Sequence, residues 1–328
     1  MRAAVYSRYG APEVVQIEDV ATPVPKDNEV LVRVCASTVC AADWRIRKAD
    51  PTFARLFNGL LRPKKIKILG MEFAGTVASA GKAITRFRVG DLVFGDTLLK
   101  FGTHAEYVCV SESDLIAPKP ANTTLEECAA FCFGGLTVLS FLKKAKIEAG
   151  QRVLVYGASG SVGVFAVQLA KHYGAHVTGV CSTANLSLVK SLGADEVVDY
   201  TKEDFSRAGR VYDMVFDTVG KSGFWRSLRS LKRGGSYVLV AGLARDWFIV
   251  NALATQLGGM WATLTGAGRV VNMPGRWEIV DLMLLRGLME AGILRTVIEK
   301  RYPLAQIAEA HRLAESGRKK GHVLVVCE

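Results

Sequence analysis

Hydrophobic positions take on two textures along this chain. Beyond about residue 150, short apolar runs alternate with helical stretches. Arg152–Tyr156 is apolar at three successive central positions and predicts a buried strand. A glycine-rich turn follows, and then a helix with apolar residues at Val162, Phe165, Ala166 and Leu169. His176–Cys181 predicts a second strand, and Ala184–Leu192 a helix closed by Gly193. Glu196–Tyr200, Met214–Asp217 and Ser236–Gly242 predict three more strands, with Leu228–Lys232 ending the helix before the last. Strands alternating with helices at this spacing predict a parallel, doubly wound α/β sheet. Before about residue 120 the pattern differs. Glu29–Ala36, Phe73–Gly81, Arg88–Gly95 and Gly102–Val110 read as short strands punctuated by Gly and Asp, as in an antiparallel barrel. Pro118–Asn122 reads as a linker, followed by a helix over Ala129–Lys144 broken near Gly134-Gly135. Toward the end, a helix over Trp277–Glu290, a strand over Val297–Pro303, a helix over Ile307–Glu315 and a strand over His322–Val326 are predicted.

The turn between the first parallel strand and its helix carries the clearest chemistry. Gly157, Gly160 and Gly163 fall at G-x-x-G-x-x-G spacing, with Ser159, Ser161 and Val162 between them. In a strand–turn–helix context this predicts a dinucleotide site, with the pyrophosphate on the N–H groups of the helix start. NAD sites place an acidic residue about 20 residues further on. Here His176–Ser191 contains none, and Ser182, Thr183 and Asn185 stand where a 2′-phosphate would be received. NADP(H) is therefore the expected cofactor.

Composition narrows the remaining classes. The chain has 328 residues and is half hydrophobic, enough for about two domains. No apolar run approaches the ~18–20 residues of a membrane span, and the first residues read as a strand rather than a signal peptide. A cytoplasmic location is expected. Seven cysteines, an odd number in a chain of this size, argue against a disulfide framework. Cys128 and Cys132, spaced i, i+4 on a helix, read as small buried residues. The charge of +11 raises nucleic-acid binding. The basic clusters are scattered, so no nucleic-acid partner is expected, and Lys319-Lys320 read as exposed. The histidines, including His104 and His311, read as surface or helix-end residues. The turn's Gly-Ala-Ser-Gly spacing does not make a hydrolase elbow.

The order of these pieces resembles the medium-chain dehydrogenase/reductase superfamily, and within it the zinc-independent quinone oxidoreductase branch. The resemblance rests on Glu29–Val34, on Gly70-Met71-Glu72 running into Phe73–Val77, and on Phe87–Gly95. Gly135-Leu136-Thr137, the glycine turn and Leu192–Asp195 extend it, so that it spans nearly the entire chain. It implies a chaperonin-10-like β-barrel domain over residues 1–122, a Rossmann domain over 123–292, and a return of 293–328 to the barrel. It implies an active site between the domains and a homodimer. It adds Thr137, Tyr200, Thr218, Val219, Ala241, Gly242 and Leu243 to the cofactor contacts. Zinc-dependent relatives carry a Gly-His-Glu motif, here Gly70-Met71-Glu72, so no metal is expected, although Cys40 occupies their first ligand position. Cys40, Asp43 and Trp44 are candidate pocket residues, with Tyr107 beside them. The implied activity is NADPH-dependent reduction of a quinone, enone or enal. The alternatives are a zinc-type alcohol dehydrogenase with a degenerate site, and a crystallin-like or RNA-binding protein holding NADPH.

Overall fold

A computed structural model describes residues 1–209, 211–240, 258–259 and 265–327, which form two compact units. Residues 1–133 and 278–328 make the first unit, and 134–277 the second. These bounds differ from the expected 122 and 292. The short helix Leu125–Ala129 buries Cys128 and Ala129 and packs on the barrel strands, so it stays with them. The helix Ile279–Glu290 likewise packs on a barrel strand.

In the first unit, β1 (Arg2–Tyr6) and β2 (Val15–Asp19) form a hairpin. The main sheet contains β3 (Glu29–Thr38), β4 (Glu72–Ala80), β5 (Leu92–Asp96), β6 (Tyr107–Ser111) and β7 (Leu115–Pro118). Late in the chain come β14 (Ile298–Pro303) and β15 (His322–Val326). The sheet order is β14-β15-β3-β4-β5-β7, with β6 also on β3. β15 lies antiparallel to β3, with Leu324 opposite Thr38 and Val326 opposite Ala36. Its Val323 and Val325 join Val30, Val32 and Phe73 in one buried cluster. Truncating a side chain such as Phe73, which is fully buried, to Ala costs about 3–5 kcal/mol.

Among the described residues, the second unit holds six parallel strands. They are β8 (Arg152–Tyr156), β9 (His176–Cys181), β10 (Glu196–Asp199), β11 (Tyr212–Asp217), β12 (Leu231–Leu239) and β13 (Arg269–Val271). The order β10-β9-β8-β11-β12-β13 reverses direction at β8, the doubly wound arrangement expected. Val153, Leu154 and Val155 are fully buried, as a central strand requires.

Local differences have physical reasons. The helix Cys132–Ala145 runs unbroken through Gly134-Gly135. Gly134 serves close packing, since a Cβ there would stand 2.6 Å from Phe165. Leu231-Lys232 belongs to β12 rather than to the preceding helix, which ends at Ser230. Pro118 closes β7 rather than opening a linker, held opposite Val93. Arg88–Asp91 is a turn before β5, closed by Arg88 N–H donating to Asp91 Oδ2. β6 begins only at Tyr107, because the backbone around His104 bonds to Ala4 and Leu69 instead. No helix among the described residues is long and apolar enough to cross a membrane.

Candidate active site

The glycine turn of the second unit has three glycines with different reasons to be glycine. Gly157 has φ of 80°, and a Cβ on it would stand 2.3 Å from Val219 Cγ2. A Cβ on Gly163 would stand 2.1 Å from Gly157 O, so helix and turn touch backbone to backbone. Gly160 differs. The nearest atom to a Cβ there is Gly157 O at 3.5 Å, an ordinary contact. The N–H groups of Gly157 and Ala158 both donate to Val180 O at 3.0 Å, tying the turn to β9. The helix Gly163–His172 that follows has no side-chain cap at its N-terminus. Such an end attracts an anion through its N–H groups and dipole. Thr137, on the helix Cys132–Ala145, has a buried hydroxyl with no hydrogen-bond partner among the described residues. The open space over Gly160 and this orphaned hydroxyl both fit a pyrophosphate-bearing cofactor.

At the end of β9 a small polar network forms. Asn185 Nδ2 donates to Ser159 Oγ at 3.1 Å and to Ser182 Oγ at 3.3 Å. Both serines therefore accept from Asn185 and keep their own hydroxyl protons to donate. Thr183 departs from its expected role. Its hydroxyl donates to Asp199 Oδ2 at the end of β10, so its single proton is not free for a phosphate. Thr201 also donates to Asp199, at 2.7 Å, and these hydroxyl bonds hold the carboxyl below its usual range. Tyr200 is half exposed, its N–H bonded to Cys181 O at 3.1 Å.

The loop after β11 is built on Asp217, which is fully buried. It accepts the N–H groups of Val219, Gly220 and Ser222 at 2.8–2.9 Å. Thr218 Oγ1 donates to Tyr156 O at 2.9 Å, so this side chain anchors the loop to β8. Val219 is left partly exposed. Ala241, Gly242 and Leu243 lie outside the described residues.

In the first unit, the three candidate pocket residues have structural employment. Asp43 is fully buried and accepts Cys40 N–H and Gly70 N–H, each at 2.7 Å. It is the third residue of the helix Ala41–Lys48 and caps its start. Trp44 packs partly buried on the barrel core, with Arg45 over its ring at 5.1 Å. Burial pushes the Cys40 thiol well up, with Asp43 and Glu72 adding to the effect, so it is not held as a thiolate. Cys128 and Cys132 are both buried, as read.

The sequence reading missed a buried carboxyl pair. Glu72 on β4 lies directly opposite Asp96 on β5. Glu72 Oε1 accepts Phe133 N–H at 2.8 Å, and Oε2 meets the Thr38 hydroxyl. Burial, with Asp96 adding, pushes the Glu72 carboxyl up to about 8. Burial pushes Asp96 up to about 7. An acid at the start of β4 and another at the end of β5, each beside apolar strand residues, is the available signal. Lys319 is part-buried rather than exposed and donates to Gly321 O at 2.5 Å. Burial lowers its ammonium to about 8. His104 and His311 are fully buried, their rings edge to face at 5.6 Å, not surface residues.

Two family models match the chain. Residues 26–121 match the alcohol dehydrogenase GroES-like domain and 192–325 match the zinc-binding dehydrogenase model. A 2-methylene-furan-3-one reductase of Solanum lycopersicum is 32% identical, covering 99% of this chain and 79% of its own. An NADPH-dependent alkenal/one oxidoreductase, chloroplastic, of Arabidopsis thaliana is 31% identical with the same coverage. The solved quinone oxidoreductase of Coxiella burnetii superposes with a TM-score of 0.88 at 29% identity, covering 100% of this chain and 99% of that one. The chain belongs to the medium-chain dehydrogenase/reductase superfamily, in its quinone-oxidoreductase-like branch.

The zinc implied by the second model's name does not fit these residues. Met71 offers a thioether where an imidazole is needed, and both Glu72 oxygens are engaged.

Proposed function

We propose that this protein is an NADPH-dependent, zinc-free reductase of quinones and α,β-unsaturated carbonyl compounds. The observation that carries the reading is Gly160, a glycine whose side-chain space the protein leaves open at an uncapped helix start. Bound NADPH supplies a hydride. The turn Gly157–Gly163 takes the pyrophosphate, and Ser182 takes the 2′-phosphate, with Ser159 beside it. Asn185 orients both hydroxyls. β9 ends in Cys181 rather than in an acidic residue, so no carboxylate at that position repels the phosphate. Two charge-assisted hydrogen bonds at roughly 1.5–3 kcal/mol each give an NADPH preference on the order of 10²-fold or more.

A donor set unsuited to zinc assigns conjugated acceptors rather than simple ketones. Negative charge arriving on an enone or quinone spreads over an enolate or hydroquinone. Backbone N–H groups or a hydroxyl suffice to stabilise it. A homodimer, as is common in the branch, completes the proposal. Five of the seven cysteines are buried thiols, which suits a reducing compartment such as the cytoplasm.

The test is product analysis with deuterium-labelled NADPH and an enone. Deuterium is expected at the β-carbon, with little turnover of saturated ketones and slower turnover with NADH. Label on the carbonyl carbon of a secondary alcohol overturns the reading.

A further inference from the structure

The second unit has a cavity of about 260 Å³ far from the glycine turn, at the amino-terminal ends of β8, β11 and β12. The turn lies at the opposite, carboxyl ends. We propose that this cavity is a second anion site, built for the phosphoryl or diphosphoryl group of a small phosphorylated compound.

The inventory of the lining is one-sided. Lys146, Arg233 and Arg269 line it, with Gln151, Ser236 and Asp213. Asp213 is already neutralised, because Lys232 Nζ meets both its oxygens at 2.9 Å and Arg152 N–H adds a bond at 2.8 Å. Gln151 Oε1 accepts Glu148 N–H at 3.2 Å, which leaves its amide hydrogens as the part to offer a ligand. Arg269 Nη2 donates to Lys144 O at 2.9 Å, fixing the guanidinium. Its Nε is buried with no partner among the described residues. Lys146 and Arg233 make no ion pair among the described residues.

The backbone supports the same reading. Lys146 has φ of 56°, a left-handed conformation that a non-glycine residue adopts at some cost. The carbonyls at the end of the helix Cys132–Ala145 are taken up, Leu142 O by Ile147 N–H and Lys143 O by Lys146 N–H. Those two carbonyls are thereby satisfied within the chain. What faces the cavity is a set of donors around excess positive charge, which selects an acceptor-rich anion. Convergence on one small cavity, rather than a stripe along the surface, suits a compact phosphorylated compound better than a nucleic acid.

The experiment uses the full chain saturated with NADP⁺, so that the glycine turn is filled. Sodium diphosphate, with inorganic phosphate in parallel, is titrated calorimetrically at low ionic strength. One saturable site per chain is expected. Lys146→Glu with Arg233→Glu, both at exposed positions, should weaken diphosphate at least tenfold and leave the NADPH Kd and quinone turnover unchanged. Arg269→Gln should weaken it as well, with an unchanged Tm certifying the fold. No saturable binding to the NADP⁺-loaded chain, or undiminished binding to the double variant, overturns the proposal. So does an RNA oligomer that binds in place of diphosphate and is lost in the same variants.

Discussion

Gly160 and Gly163 lie three residues apart in one turn, yet they answer to different demands. Gly163 is needed by the fold, since any Cβ collides with Gly157 O. Gly160 is needed only by what approaches from outside. Gly160→Ala should therefore leave Tm within about a degree while weakening NADPH at least tenfold. Gly163→Ala should lower stability by about 1–3 kcal/mol. Thermal melts beside NADPH titrations check this, and a large stability loss in Gly160→Ala would remove the distinction. The glycines and serines of this site are legible in the sequence because strand, turn and helix are contiguous. The partnership of Thr183 with Asp199 is not, because it joins the ends of two strands separated by a helix. Nor is the bridging by Asn185, which depends on how the end of β9 folds back over the turn.

At the scale of elements, the helices Ala41–Lys48 and Ile307–Glu315 are joined by one buried charge. Arg47 is fully buried, and its guanidinium meets Glu315, which also pairs with Lys48 at 2.8 Å. Burial lowers the Arg47 pKa while Glu315 opposes the shift. Glu315→Ala strands this cation and should cost about 3 kcal/mol in denaturant unfolding. A loss under 1 kcal/mol would mean that another group takes over. Neither helix announces this pairing, since Arg47 sits in an unremarkable run of basic residues. Elements whose burial is uniform, such as β8 and β15, are legible as apolar runs. Boundaries fail where competing demands meet, as at Leu231, which continues a helical pattern but is drawn into β12 beside Tyr212.

For the molecule as a whole, Glu72 and Asp96 link stability to pH. Both carboxyls are raised in the folded chain, so the folded chain binds more protons than the unfolded one between about pH 4 and 8. Their stabilisation is complete below the unfolded values and is lost as pH rises through about 7 and 8. Glu72→Gln should melt close to the parent at pH 5 and about 4 °C or more above it at pH 9. A constant difference across that range would contradict the assignment. Burial draws His322 down to about 3, which erodes stability on the acid side and is untouched by this variant. The pairing of β15 with β3 carries a consequence for how the molecule comes into being. About 280 residues of chain separate β3 from β15, and at roughly 5–20 residues synthesised per second the wait between them runs on the order of ten seconds to a minute. The six described strands of the parallel sheet emerge within that interval and can close on their own neighbours. Nascent β3 meanwhile presents an unsatisfied edge at Ala36–Thr38, open to any other strand in the crowded cell. The barrel unit therefore closes only after those strands have emerged, and a faster passage from β3 to β15 shortens the exposure of that edge.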